Sequence, residues 1–169
     1  MAETALGGNP VQTSGDLPAV GSTAPLFTLT SVDLGQLTTA DLAGQRVVLN
    51  IFPSIDTDTC ATSVRTFNER ASEMENTTVL CVSADLPFAQ KRFCGAEGIE
   101  DVKTGSTFKN AEFLTDFGVG MVDGPLEGLT ARSVIVLDEG GNVVYQELVP
   151  EIADEPDYDV AIAAIAALN

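Results

Sequence analysis

The fold of this chain is decided in the stretch Asn50–Thr62, which reads N-I-F-P-S-I-D-T-D-T-C-A-T. An apolar strand runs into a turn here, and a helix begins close to Cys60. A thiol in the first turn of a helix faces unpaired backbone N–H groups and the positive end of the helix dipole, and both favour thiolate over thiol. Cys60 is therefore the candidate nucleophile.

The residues just before Cys60 support this interpretation. Pro53 is suited to end the strand and to limit access of solvent. Thr57 stands three residues before the cysteine, so its hydroxyl can point at the sulfur. Thr59 or Asp58 is expected to cap the helix.

The flanking segments predict a strand, a helix and a second strand. Arg46–Phe52 is a continuous apolar run, typical of a strand that is buried on both faces. After Cys60, apolar residues recur at helical spacing up to Met74. Thr77–Ser83 is a further central strand. Because parallel strands need a crossover connection, this order predicts a parallel βαβ unit.

The rest of the chain adds helices and an antiparallel hairpin to this unit. A second helix is expected to start at Asp85–Pro87 and to end at Gly95 or Gly98. Further elements are predicted as follows: a hairpin or flexible extension in residues 1–15, a half-buried strand at Phe27–Thr30, a loop or helical turn at Leu37–Leu42, a short helix at Asn110–Phe117, strands at Thr130–Leu137 and Val143–Val149, and a helix at Tyr158–Leu168. The expected class is α/β, with a central mixed sheet flanked by helices.

Composition limits the possible partners. The chain has 169 residues and is expected to form a single domain, 1–169, with a substantial core. Its net charge of −17 disfavours nucleic acid and anionic membranes as partners. No stretch of about 18 apolar residues is present, and the first residues lack a basic cluster and an apolar core. We therefore expect a soluble, cytoplasmic protein.

The cysteines and the missing histidine restrict the chemistry. The chain has three cysteines, Cys60, Cys81 and Cys94, and no two of them form a C-x-x-C motif. It has no histidine. Zinc sites and catalysis by a Cys–His or Ser–His–Asp arrangement are therefore disfavoured, and no metal or cofactor is expected. Cys81 lies in the middle of a predicted strand and is interpreted as structural.

The pattern Pro53-x-x-x-Thr57-x-x-Cys60 resembles the active-site motif of peroxiredoxins. The segments I-F-P-S-I-D-T-D-T-C-A-T-S-V-R-T-F-N (Ile51–Asn68) and S-A-D-L-P-F-A-Q-K-R-F-C-G-A-E-G (Ser83–Gly98) resemble more closely the bacterial thiol peroxidases, which are atypical two-cysteine peroxiredoxins. The resemblance runs from about Asn9 to the C-terminus. It implies a thioredoxin-like fold with a peroxiredoxin-type N-terminal extension.

The resemblance also implies roles for individual residues. Cys60 would be the peroxidatic cysteine and Cys94 the resolving cysteine. Arg132, which opens the third predicted core strand within L-T-A-R-S, matches an arginine that pairs with the thiolate and the peroxide. Thr57 would bind the peroxide, and Pro53 would shield the sulfenic acid.

The implied activity is a thiol-dependent peroxidase in antioxidant defence. Its substrates would be hydrogen peroxide and alkyl and lipid hydroperoxides. Its reductant would be thioredoxin, and it would assemble as a homodimer packed near the active-site face.

Two helical cysteines are not expected within the roughly 4.4–6.8 Å Cα separation of a disulfide. We therefore expect local unwinding before Cys60 and Cys94 join.

Three other functions remain open at this point. A dithiol reductase or isomerase on the same fold requires C-x-x-C, whereas this chain has Thr57-Asp58-Thr59-Cys60. A thioredoxin-like binding module would carry the thiols without using them. A peroxide sensor would oxidise in the same way but would pass its disulfide to a partner.

Overall fold

The structure is a computed structural model that describes all residues from Met1 to Asn169. Its helices are α1 (Asp58–Arg70), α2 (Pro87–Glu97), α3 (Glu112–Asp116) and α4 (Tyr158–Ala166). Its strands are β1 (Glu3–Leu6), β2 (Asn9–Gln12), β3 (Thr28–Thr30), β4 (Gln36–Thr38), β5 (Arg46–Ile51), β6 (Thr77–Ser83), β7 (Lys103–Ser106), β8 (Ser133–Leu137) and β9 (Val143–Leu148). None of the helices is long and apolar enough to cross a membrane.

Seven strands form one mixed sheet in the order β4-β3-β7-β6-β5-β8-β9. The central strands β5, β6 and β7 run parallel, and β8 pairs antiparallel with β5 and β9. The predicted parallel βαβ unit is therefore present as β5, α1 and β6. Since the carboxyl ends of parallel strands meet at one edge of the sheet, the segments after β5, β6 and β7 are brought together there.

Both faces of the sheet are covered. Val47, Leu49 and Ile51 of β5 point into one core, which includes Phe113 and Phe117. Val48 of β5 points into the other core, which α1, α2 and α4 cover. All six residues of β5 are buried, as the continuous apolar run predicted.

The N-terminal residues form a separate two-stranded sheet of β1 and β2. The turn between them contains Gly7 and Gly8, both with positive φ, and glycine adopts this conformation at little cost. The hairpin lies beside the segment after β9, because Ala5 forms a bridge with Glu151.

Three local predictions need correction. Leu37–Leu42 contains the helical turn that was one of the two predicted alternatives, but this turn is of the 3-10 type and covers only Thr39–Leu42, because Leu37 and Thr38 belong to strand β4. Helix α1 begins at Asp58, so its N-cap is Thr57 rather than Asp58 or Thr59, and no side chain caps it. Strand β8 begins at Ser133, so Arg132 lies just before the strand.

Candidate active site

Cys60 is the third residue of α1 and is completely buried. It belongs to the core beneath α1, together with Val64, Phe52 and Ile55. Residues 52–57 connect the end of strand β5 to the start of α1. The sulfur is therefore held in the first helical turn, at the carboxyl edge of the parallel strands.

Arg132, which lies directly before β8, contacts the sulfur of Cys60. Its Nη2 lies 3.2 Å from Sγ of Cys60, and its Nε donates to the carbonyl of Ile152 at 2.7 Å. Only 2% of Arg132 is exposed, and its Nη1 has no hydrogen-bond partner. The guanidinium is thus a buried cation aimed at Cys60, with one nitrogen left for a further acceptor.

Thr57 does not point its proton at the sulfur, in contrast to one part of the sequence interpretation. Its hydroxyl donates to the backbone carbonyl of Ser54 at 3.0 Å, and its side chain is exposed. Because a hydroxyl has a single proton, Thr57 is left with lone pairs that accept hydrogen bonds. Its oxygen can therefore bind a donor that enters from solvent.

Pro53 is buried at the end of β5, in the loop that leads to α1. The carbonyl of its neighbour Phe52 accepts a 2.6 Å hydrogen bond from Thr130, two residues before Arg132. This bond ties the loop before Cys60 to the segment that carries the arginine.

Asp85 holds the same loop from the other side. Its carboxylate accepts from the hydroxyl of Ser54 at 2.7 Å, from the backbone N–H of Ile55 at 2.7 Å and from the hydroxyl of Ser83 at 2.6 Å. Asp85 lies between β6 and α2, so it couples the Cys60 loop to the start of the helix that carries Cys94. Charge-assisted hydrogen bonds of this kind are among the strongest in proteins.

Cys94 lies on α2 and is half-buried against the core that contains Cys60. Burial raises the pKa of its thiol above the ordinary value. Helix α2 ends close by, at Gly98 in the left-handed conformation, whose N–H donates to the carbonyl of Cys94. All three cysteines are free thiols.

Cys81 is fully buried in β6, where the side-chain amide of Asn50 lies 3.7 Å from its sulfur. Burial raises the pKa of Cys81 to about 12, and the contact with Asn50 opposes this only in part. Such a thiol is not ionised at neutral pH, so it is a poor nucleophile.

Sequence reasoning named Cys60, Arg132, Thr57 and Pro53, and the structure brings these four to one edge of the sheet. It missed Asp85 and the carbonyl of Ile152. Asp85 lies within the S-A-D-L-P motif, which was a usable signal, whereas a backbone carbonyl leaves no trace in the sequence. No group of three His, Cys, Asp or Glu side chains is arranged to hold a metal ion.

Comparisons with known proteins identify the family of this chain. The Redoxin family model matches residues 19–162. The thiol peroxidases of Mycobacterium bovis and Mycobacterium tuberculosis are each 58% identical over 167 residues, which is 99% of this chain and 100% of theirs.

Solved structures show the same fold. A peroxiredoxin-like protein from Aquifex aeolicus superposes with a TM-score of 0.94 at 37% identity, over 100% of this chain and 98% of that one. A thiol peroxidase from Chromobacterium violaceum gives a TM-score of 0.90 at 20% identity, over 98% and 95% of the two chains. The predicted thioredoxin-like fold and the predicted family are thereby confirmed. The chain belongs to the Redoxin family and, within it, to the thiol peroxidases.

Proposed function

We propose that this chain reduces hydrogen peroxide and alkyl and lipid hydroperoxides by way of a sulfenic acid on Cys60. The observation that carries the proposal is the contact between Arg132 and Cys60. A guanidinium 3.2 Å from the sulfur stabilises a thiolate, and the N-terminus of α1 adds a second positive potential. Both effects are stronger because Cys60 and Arg132 are buried away from water.

The same guanidinium is suited to bind the substrate. Its Nη1 is buried without a partner, and leaving such a donor unsatisfied is costly unless a ligand supplies an acceptor. A peroxide oxygen is such an acceptor. The Thr57 oxygen, whose own proton is used by Ser54, would accept the hydrogen bond from the peroxide O–H.

The reaction needs no group beyond these. The Cys60 thiolate attacks the terminal peroxide oxygen, so that an S–O bond forms while the O–O bond breaks. The leaving oxygen takes the peroxide proton and departs as water or alcohol, and protonation of the sulfur product gives the sulfenic acid. Arg132 stabilises the charge that moves onto the leaving oxygen. Pro53, buried beside the site, limits water and so protects the sulfenic acid from further oxidation.

We assign resolution to Cys94. Its thiol would attack the sulfenic acid of Cys60, release water and form an intramolecular disulfide. Both residues are helical, so α1, α2 or both must open first, and two ion pairs resist this. Arg92 binds Asp56 at 2.8 Å, and Arg65 binds Glu97 at 2.8 Å.

Turnover then requires an external dithiol, for which we propose thioredoxin. Its two thiols would become a disulfide as the Cys60–Cys94 bond is reduced. Location in the cytoplasm and a role in antioxidant defence remain predictions from the sequence and from the family resemblance.

We further propose that the chain forms a homodimer near this face. Leu86, Phe88 and Phe108 are 50%, 65% and 46% exposed. They follow β6 and β7 at the carboxyl edge, where Cys60 also lies. Exposed apolar side chains at one edge of a sheet are suited to an interface.

Mass mapping after one equivalent of peroxide tests the central proposal. Wild-type protein should yield a peptide pair joined through Cys60 and Cys94. Cys60→Ser should leave the peroxide unconsumed, because no thiolate faces Arg132. A disulfide that involves Cys81, or rapid peroxide loss with Cys60→Ser, would contradict the assignment.

A further inference from the structure

The N-terminal hairpin of β1 and β2 lies outside the residues 19–162 that match the Redoxin family model, and the proposed reaction gives it no role. It is nevertheless bonded closely to residues 149–153, which follow β9 and which we call the strap. The strap in turn contacts the candidate active site.

The hairpin holds the strap at three points. Thr4 is only 3% exposed, and its hydroxyl donates its single proton to the carbonyl of Val149 at 2.8 Å, with the carbonyl of Pro150 as a second, shared acceptor at 3.2 Å. The backbone N–H groups of Gly7 and Gly8 each donate to the carboxylate of Glu151 at 3.0 Å.

A third contact joins the two backbones, because the N–H of Ile152 donates to the carbonyl of Ala5 at 2.8 Å. Apolar packing strengthens the connection. Ile152 of the strap and Val11 of the hairpin are both buried in one small apolar cluster. This cluster also contains Ala131, the residue next to Arg132. The strap is therefore held by hydrogen bonds and by a shared core.

The strap holds two groups of the candidate site. The carbonyl of Ile152 accepts from Nε of Arg132 at 2.7 Å, and the carbonyl of Ala153 accepts from the hydroxyl of Thr59 at 2.9 Å. Thr59 directly precedes Cys60 in the first turn of α1. Apart from Cys60 itself, the Ile152 carbonyl is the only hydrogen-bond partner of the Arg132 guanidinium.

We propose that the N-terminal hairpin is a positioning element of the active site, which aims the Arg132 guanidinium at Cys60 by fixing the Ile152 carbonyl. This inference rests on the proposed role of Arg132 in the peroxidase reaction. Catalytic groups act only when they are held close to the productive geometry by their supporting contacts. Thr4 and Glu151 are thus positioning residues that act through the strap.

Thr4→Val is the most direct test, because valine has nearly the same shape but lacks the hydroxyl, and the net charge is unchanged. The rate constant for oxidation of Cys60 by hydrogen peroxide in a single turnover should fall about threefold to tenfold, the range expected for losing one supporting hydrogen bond. The pH at which iodoacetamide alkylation of Cys60 reaches half its maximal rate should rise. Thr4→Ser, which keeps the hydroxyl, should restore both values.

Glu151→Gln gives a second test, in which a simple charge effect and a loosened strap shift the alkylation midpoint of Cys60 in opposite directions. Removing a negative charge alone would favour the Cys60 thiolate and lower the alkylation midpoint. Loosening the strap would raise it, as Thr4→Val does. Glu3→Gln is the matched control, since Glu3 pairs with Gln12 within the hairpin and does not touch the strap.

Wild-type midpoints and rates in both Thr4→Val and Glu151→Gln, whatever their melting temperatures, would overturn the proposal. The alkylation experiment uses no peroxide, so it decides the positioning role independently. Slow oxidation of the wild-type thiol would instead count against the proposed function.

Discussion

The Nη2 nitrogen of Arg132 lies 3.2 Å from the sulfur of Cys60, although the two residues are 72 positions apart in the chain. This contact exists because β5 and β8 are antiparallel neighbours, with Ile51 opposite Ser133. The end of β5 leads to Cys60, and the start of β8 follows Arg132. A single pairing of strands therefore brings the cation to the thiol.

Replacing Arg132 by lysine should cost far more activity than stability. Lysine keeps the charge but cannot bind Ile152, Cys60 and a substrate oxygen at once, because it lacks the guanidinium fork. We expect the rate constant for oxidation of Cys60 to fall about a hundredfold, as when one preorganised donor is removed from an active site. Stopped-flow measurement with hydrogen peroxide checks this.

The matched control is Arg46→Lys. Arg46 is also a buried arginine, but it binds Glu139 and the last carbonyls of the chain. This variant should lower the melting temperature and keep the wild-type rate. Equal rate losses in the two variants would mean that Arg132 acts only through folding.

Cys94→Ser should separate the two halves of the catalytic cycle. The variant keeps Cys60 and Arg132, so it should reduce one equivalent of peroxide at the wild-type rate. Turnover with thioredoxin should then stop, because no thiol is present to form the disulfide. Cys81→Ser is the control and should cycle normally; undiminished cycling by Cys94→Ser would remove Cys94 from the mechanism.

Arg92→Gln should speed formation of the disulfide. Arg92 binds Asp56 in the loop before Cys60, and Arg92 lies two residues before Cys94, so this ion pair holds the two segments together. Both side chains are well exposed, and pairs of this kind contribute little, so we expect about a twofold increase. Quenched-flow trapping of free thiols after one equivalent of peroxide measures it.

Arg70→Gln serves as the control for that experiment. Arg70, the last residue of α1, also forms ion pairs, with Glu73 and Asp159. Neither of these partners belongs to α2, the helix that carries Cys94. The variant should therefore form the disulfide at the wild-type rate. A similar acceleration in both variants would point to general loosening of α1.

Cys81 should make the protein less stable at high pH. Its pKa is raised from 9.0 to about 12 by burial, so the folded protein holds this proton more tightly than the unfolded chain does. The free energy of unfolding should therefore be unaffected by Cys81 below about pH 9 and should fall as the pH rises toward 12.

Urea unfolding near pH 8 and near pH 10.5 tests this sign. The loss of stability between the two should be smaller in Cys81→Ala than in wild-type protein, because the variant has no thiol to ionise. The two partly buried tyrosines, Tyr145 and Tyr158, are present in both proteins, so the difference isolates Cys81. Identical losses would show that this thiol is not shielded as its burial implies.

Local patterns in the sequence determined the central part of this molecule. The strand predicted at Thr77–Ser83 has those bounds in the structure, and Cys60 lies in the first turn of a helix as expected. Continuous apolar runs and helical spacing report burial directly, and the proline and glycine positions mark where elements end. The spacing of Pro53, Thr57 and Cys60, together with the longer segments Ile51–Asn68 and Ser83–Gly98, indicated the family.

Only the tertiary structure decided how the site is supported. The sequence could nominate Arg132, but its contact with Cys60 depends on the pairing of β5 with β8. The clamp of Asp85 on the loop at Ser54 and Ile55, and the strap that links Thr4 to Arg132, join residues far apart in the chain. Such contacts arise from backbone carbonyls and side-chain directions, which no local pattern encodes.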